Sequence, residues 1–230
     1  MGMQKVEWDG ISPKVVADPE MDGPVLIVLA GQPKDQSWRE VPAGVFEAME
    51  KEREQIRGGQ KAPGNLALPV ANLAAISRLL DNTYIQQLVQ FTNLAFDLFT
   101  SMLCCYYGSM LSELCCSDNR LEQHFCNSVF ACVTFNFGPM VRFYIHTDHL
   151  NLVVTSCWDL KLVIKFPPRS TIFILSAILR HSNVPVRPGE KQLSFVQWSA
   201  GGLFRWVEFG MQSAKLYQEK VRKISETVSP

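Results

Sequence analysis

Near residue 120 the chain changes character, and that change limits its possible folds more than any other feature. Before it, residues 70–80 (VANLAAISRLL) and 82–98 carry apolar residues at spacings of three and four, and helical character runs on to about Leu114. After it, residues 127–137 (NSVFACVTFNF), 141–145, 160–166, 171–175 and 193–199 are rich in aromatic and β-branched residues, as strands are. The turn clusters between those strands, Gly138-Pro139, Pro167-Pro168-Arg169-Ser170 and Arg187-Pro188-Gly189-Glu190, are too short to hold crossover helices. The sheet is therefore expected to be largely antiparallel. The fold class that follows is α+β, a helical N-terminal layer packed on a jelly-roll-like sheet.

Residues 1–57 read as an N-terminal arm, mostly irregular, with one strand at 24–31 (PVLIVLAG) and one helix at 43–57 that stops at Gly58-Gly59. Residues 58–212 form the main unit: a loop at 60–69, a helical part at 70–116 and a β part at 127–212 that includes the aromatic segment LFRWVEFG. The tail, 213–230, is charged and expected to be helical.

Basic and acidic residues both number 22, so no global field draws in nucleic acid or an anionic membrane, and any such contact has to be local. The seven cysteines follow no signal-peptide pattern and read as reduced, intracellular thiols. The adjacent pairs Cys104-Cys105 and Cys115-Cys116 lack zinc-ligand spacing, and burial as small apolar side chains is the better account. No apolar run reaches the length of about 18–20 residues that a membrane span needs. The nearest, 94–110, contains Asp97, Thr100, Ser101 and Ser109, so a soluble protein is expected.

The chemistry-bearing pattern lies in FNFGPMVRFYIHTDHLN, residues 135–151. An H-x-D pair near a strand end, with a distant second histidine, matches a two-histidine, one-carboxylate site that binds Fe(II) on one face and leaves positions open. In a strand, residues i and i+2 face the same way, so His146 and Asp148 share a side while Thr147 and His149 face the other. The distal partner would be His181, in SAILRHSNVPV. Taken alone, the triplet favours a polar turn with surface histidines over a metal site.

The strings GQKAPGNLA, HFCNSVFACVTFNFGP, IHTDHLN, WDLKLVIKFPPRSTIFILSAILRHSNVP and SFVQWSAGGLFRWVEFG, spread in order over residues 58–210, supply more context. The chain resembles fungal Fe(II)/2-oxoglutarate-dependent dioxygenases of the group that includes the TET/JBP nucleobase oxygenases. That resemblance implies a double-stranded β-helix, iron bound by His146, Asp148 and His181, 2-oxoglutarate as cosubstrate, and DNA carrying methylated bases as the partner.

The sequence departs from the pattern twice. Where the family has an Arg-x-Ser element about eleven residues beyond the distal histidine, this chain reads Gln192-Leu193-Ser194, so the donor fork for a carboxylate is missing. Lys191, on the opposite strand face, and Arg187, in a turn, are the nearest cationic substitutes, leaving Lys191 and Ser194 as the cosubstrate-binding residues. The second departure is length: only 32 residues lie between Asp148 and His181, and four strands with their turns would fill or exceed that space. The barrel is expected to be incomplete. Two functional readings follow: a dioxygenase homologue that oxidises methylated bases, and a catalytically inactive, degenerate homologue that acts as an interaction protein.

Other residues carry two readings each. Arg205 either lines the substrate pocket or stacks on Trp206 and pairs with Glu208. Asp159, beside Trp158, marks a strand start or caps a turn; Asn183 hydrogen-bonds near the metal or, the preferred reading, closes the turn before Pro185; and His124 is expected on the surface.

Overall fold

The computed structural model describes residues 2–18, 23–56, 61–64, 66, 72–137, 156–182 and 193–228. Its elements run β1 (Gln4–Val6), β2 (Lys14–Ala17), β3 (Val25–Gly31), a 3-10 turn (Gln36–Arg39), α1 (Glu40–Arg53), β4 (Lys61–Gly64), α2 (Leu73–Leu80) and α3 (Thr83–Ser117). They continue with β5 (Cys132–Asn136), β6 (Ser156–Cys157), β7 (Leu162–Ile164), β8 (Thr171–Ile174), β9 (His181–Ser182), β10 (Ser194–Trp198), α4 (Gly201–Glu208) and α5 (Ala214–Val228). The strands form three open sheets, ordered β1-β7-β6-β9, β10-β5-β4 and β2-β3-β8. Every pairing is antiparallel except β1 with β7. The protein is α+β, with largely antiparallel sheets.

β3 explains why the first 57 residues are not an appendage. Its apolar run is buried at every position after Val25, and alternate side chains go to different cores. Ile27 and Leu29 meet Trp8, Cys157, Ile164 and Leu179, which joins sheet β2-β3-β8 face to face with sheet β1-β7-β6-β9. Val28 and Ala30 face the other way, onto Ala95 of α3. A strand covered on both faces needs an unbroken apolar sequence, which VLIVLA supplies. The arm thus holds three strands where the sequence indicated one, because β1 and β2 are short, exposed and half polar, and are fixed by their partners.

The helical layer covers the third sheet. Met49 of α1, Ile76 and Leu79 of α2, and Ile85 and Val89 of α3 pack on Val133 and Phe135 of β5. Asn82 starts α3 by accepting from the backbone N–H groups of Tyr84 and Ile85 at 3.0 and 3.2 Å. Between α1 and α2, Arg78 donates to both oxygens of the buried Glu52 carboxylate at 2.9 and 2.7 Å. Helix α3 kinks at Thr100 (φ −146°, ψ 51°), whose Oγ1 donates to the Phe96 carbonyl at 2.7 Å. Beyond the kink, Leu111 and Leu114 form a core with Cys132 of β5 and Val207 of α4.

Two segments differ in type from the sequence reading. Residues 61–64, read as loop, form β4 at the edge of its sheet, where the N–H that Pro63 lacks need not join a ladder. Residues 201–208, read within the β part, form helix α4, whose double glycine start and aromatic content hide an amphipathic face that Val207 turns inward. By length and composition, α3 is long and apolar enough to cross a bilayer, which the sequence reading had not found because it required an uninterrupted run. In this fold α3 supplies side chains to the cores just described.

Candidate functional site

His181 is the one proposed iron ligand within the described residues, and it is held unusually firmly. It is 0 % exposed, and it opens β9, the edge strand whose neighbour is β6. Cys157 stands opposite His181, and Ser156 opposite Ser182. The ring Nδ1 lies 2.6 Å from the Leu179 carbonyl. A carbonyl can only accept, so Nδ1 carries the proton and, in the neutral ring, Nε2 carries the lone pair.

Side chains from the turn after β6 add to the described ladder between β6 and β9. The Trp158 N–H donates to the Arg180 carbonyl at 2.8 Å, and its indole Nε1 to the Ser182 hydroxyl at 3.0 Å. Asp159 accepts from the Arg180 backbone N–H at 2.6 Å and from its Nε at 2.7 Å, with the second guanidinium arm also on the carboxylate. The hydrogen bonds from Arg180 hold the Asp159 carboxyl below its ordinary range. Trp158 and Asp159 therefore grip the residues on both sides of His181. Of the two sequence readings of Asp159, the structure favours a third: it caps across to β9.

Beneath the pair, burial pushes the Cys157 thiol up to about 11, and that of Cys132 likewise. Both stay protonated at neutral pH, so neither is a ready metal ligand or nucleophile. Cysteines 104, 105, 115, 116, 126, 132 and 157 are all free thiols, in keeping with their reading as reduced.

His146, Asp148 and His149 lie outside the described residues, as do Asn183, Arg187, Lys191 and Gln192. Among the described residues no three His, Cys, Asp or Glu side chains gather as a metal cluster. Ser194 opens β10 opposite Asn136, and its Oγ accepts from Asn136 Nδ2 at 3.0 Å. That bond leaves the hydroxyl hydrogen of Ser194 as a donor of the kind a carboxylate needs.

Asn136 is the polar residue that the sequence reading missed. It is buried, and its Oδ1 has no hydrogen-bond partner among the described residues. An orphan acceptor does not suit an anion, but with the amide reversed Nδ2 would be the orphan and would suit a carboxylate. Its place in the apolar string VTFNF gave no sign of this.

Arg205 is not in the lining of the cavity beside α3 described below. It is exposed on α4, with its guanidinium folded back over Gly201, where an added Cβ would lie 3.4 Å from Nη1. Glu208, offered as its ion-pair partner, instead accepts from the Tyr106 hydroxyl. An open cavity of about 560 Å³ lies elsewhere, between α3 and residues 123–129, lined by Asn93, Leu111, Cys115, Cys126 and Ser128 among others. His181 is not in its lining.

Fold and site together define an α+β protein with a buried, clamped histidine at the edge of one of two sheets packed face to face. No model of a known protein family matches the chain, and no curated protein sequence matches it.

Proposed function

We propose that the chain is a homologue of the Fe(II)/2-oxoglutarate-dependent dioxygenases, acting on methylated bases in DNA, with His146, Asp148 and His181 as iron ligands. The observation that carries this reading is the setting of His181. Its Nδ1 proton is committed to a main-chain carbonyl and its strand is gripped from both sides, as an imidazole ligand requires. The largely antiparallel strand pairing is compatible with this reading.

Iron held there would supply dioxygen activation coupled to decarboxylation of 2-oxoglutarate. The chain's own residues have simpler tasks. His181 presents a lone pair on Nε2, and Ser194 and Lys191 meet the cosubstrate carboxylate in place of the arginine that Gln192 replaces. A target base has to leave the duplex to reach so buried a residue.

The test is an anaerobic Fe(II) titration followed by calorimetry, alongside succinate formation with methylated DNA. One iron per chain is expected, lost in His181→Ala. A wild-type protein that takes up no Fe(II) overturns the proposal.

A second reading, the catalytically inactive homologue that serves as an interaction protein, is favoured by one pair of observations. Ser194 is already tied to Asn136, and Gln192 provides no bidentate cation. It is distinguished by iron uptake without succinate.

A further inference from the structure

The kink in α3 creates a space that a straight helix would not have. A straight α-helix would hold Asn93 and Gly108 about 22 Å apart, at about 1.5 Å per residue. Here one residue reaches both. The Val129 N–H donates to Asn93 Oδ1 at 2.9 Å, and Val129 Cγ1 lies 3.5 Å from where a Cβ on Gly108 would stand. Because α3 bends at Thr100, residues from both sides of the kink line one cavity of about 560 Å³, together with residues between 123 and 129.

Two side-chain amides of that lining are already oriented by the protein. A backbone N–H can only donate, so Asn93 turns its oxygen to Val129 and its Nδ2 is left over. Gln123 is the mirror case. Its Nε2 donates to the carbonyls of Phe125 and Ser128 at 3.0 and 2.7 Å, and since a carbonyl can only accept, Oε1 is left over. Both side chains grip the same peptide unit, Gln123 by the Ser128 carbonyl and Asn93 by the Val129 N–H. These partners fix which end of each amide is nitrogen. Neither left-over group has a hydrogen-bond partner among the described residues.

The rest of the lining decides the charge of what can bind. None of the described residues that line the cavity is charged. A carboxylate or phosphate leaving water needs a cation, and an ammonium group needs an anion, so neither is matched here. Leu94, Leu111 and Val129 supply apolar wall, and Cys115, Cys116 and Cys126 supply polarisable sulfur. What fits is an uncharged body that carries one acceptor and one donor.

We propose that this cavity binds a small neutral amide, a carboxamide or lactam on an apolar body. Its carbonyl accepts from Asn93 Nδ2, and its N–H donates to Gln123 Oε1. The volume lies in the range of small-molecule sites. Both amides are already held from behind, so little side-chain freedom is lost on binding. The site is separate from His181, which is not in its lining, and does not depend on the dioxygenase reading.

The thiols give the readout. Cys116 and Cys126 are exposed and line the cavity, whereas Cys105 is exposed and lies outside the lining. Their modification by methyl methanethiosulfonate is followed by mass spectrometry on the full chain, with benzamide as the probe and benzoate and benzylammonium as charged counterparts of the same shape. Benzamide at roughly millimolar concentration should slow Cys116 and Cys126 about threefold or more and leave Cys105 unchanged, and each charged counterpart should need about tenfold more. Asn93→Asp keeps an oxygen for the Val129 N–H but replaces the donor, so it should abolish the protection. Ser112→Phe, at an exposed position of the lining, should abolish it by filling the space with both amides left in place. Circular dichroism verifies that each variant folds. Wild-type thiols indifferent to benzamide overturn the proposal, as does equal slowing by benzoate or equal slowing of Cys105. Protection that persists in either folded variant overturns it as well.

Discussion

Strands β5 and β9 are both buried, but they are held in place by different means. β5 has five residues, bonds to β10 on one side and β4 on the other, and lies beneath the helical layer with Phe135 at its centre. Among the described residues β9 pairs with β6 over His181 and Ser182 and receives polar contacts from Trp158 and Asp159. In the first region, position comes from a ladder and from apolar burial shared among many residues. In the second, polar contacts from two residues of the neighbouring turn are added to a ladder and to the burial of Cys157 and Leu179. Damage to β5 should therefore be felt globally, and damage to the β9 clamp locally.

The largest effect expected is from Phe135→Ala. Phe135 is fully buried against the helical layer and lies 5.5 Å from Phe195 of β10, ring centre to ring centre. Its truncation should lower stability by about 3–5 kcal/mol in urea unfolding. A loss below about 1 kcal/mol would break the comparison, since β5 would then not depend on burial.

A smaller effect tests the helical side of the same region. Hydrogen bonding from Arg78 holds the Glu52 carboxyl below its ordinary value of 4.5, against the opposing effect of burial. A carboxyl depressed in the folded state contributes stability above its unfolded pKa and loses it as pH falls through its folded pKa. Glu52→Gln should thus melt below wild type at pH 7, and the gap should narrow below about pH 4.5 and close once the wild-type carboxyl is protonated. A gap that stays constant to pH 2 would mean that the pair acts by packing alone.

At β9 the expected effect is local. Asp159→Ala removes the acceptor for the Arg180 backbone N–H and for its guanidinium. Hydrogen exchange at Arg180 and Ser182 should accelerate well before exchange in β5 does. The Nδ1-protonated form of His181, read from its nitrogen NMR shifts, should persist in Asp159→Asn and weaken in Asp159→Ala. Equal acceleration in both strands would show that the clamp is part of the global core.

The same contrast explains what the sequence made legible. β3, β5, β8 and β10 were readable because each is a run of four or more residues, buried in β3 and β5 and half-buried in β8 and β10, long enough to display its composition. β9 was not read from its composition, since His181-Ser182 has no strand composition. The distal histidine was singled out by family resemblance and its spacing from the H-x-D pair, not by its strand. Its grip was not foreseeable at all: Asp159 and Arg180 are 21 positions apart, and only the folded turn joins them. Helix α4 was misread because its character comes from packing against Tyr106, Tyr107 and the Leu111 core rather than from propensity. An incomplete barrel was expected from chain length; the described residues form three open, largely antiparallel sheets.

The smallest perturbation gives the sharpest comparison, because each region carries its own buried thiol. Cys132 stands in β5 opposite Trp198, and Cys157 in β6 opposite His181. Burial pushes both up to about 11, so at pH 8 neither should react with iodoacetamide in the native protein, whereas exposed Cys105, Cys116 and Cys126 should. Under pulsed alkylation at rising urea, Cys157 should become reactive first. It needs the β6 pairing and the core between its two sheets to open, while Cys132 needs the ladder and the helical layer to separate. Asp159→Ala should advance Cys157 alone, and Phe135→Ala should bring Cys132 forward to meet it. Simultaneous exposure of both thiols in all three proteins would mean that the two regions form one cooperative unit, despite being held by different forces.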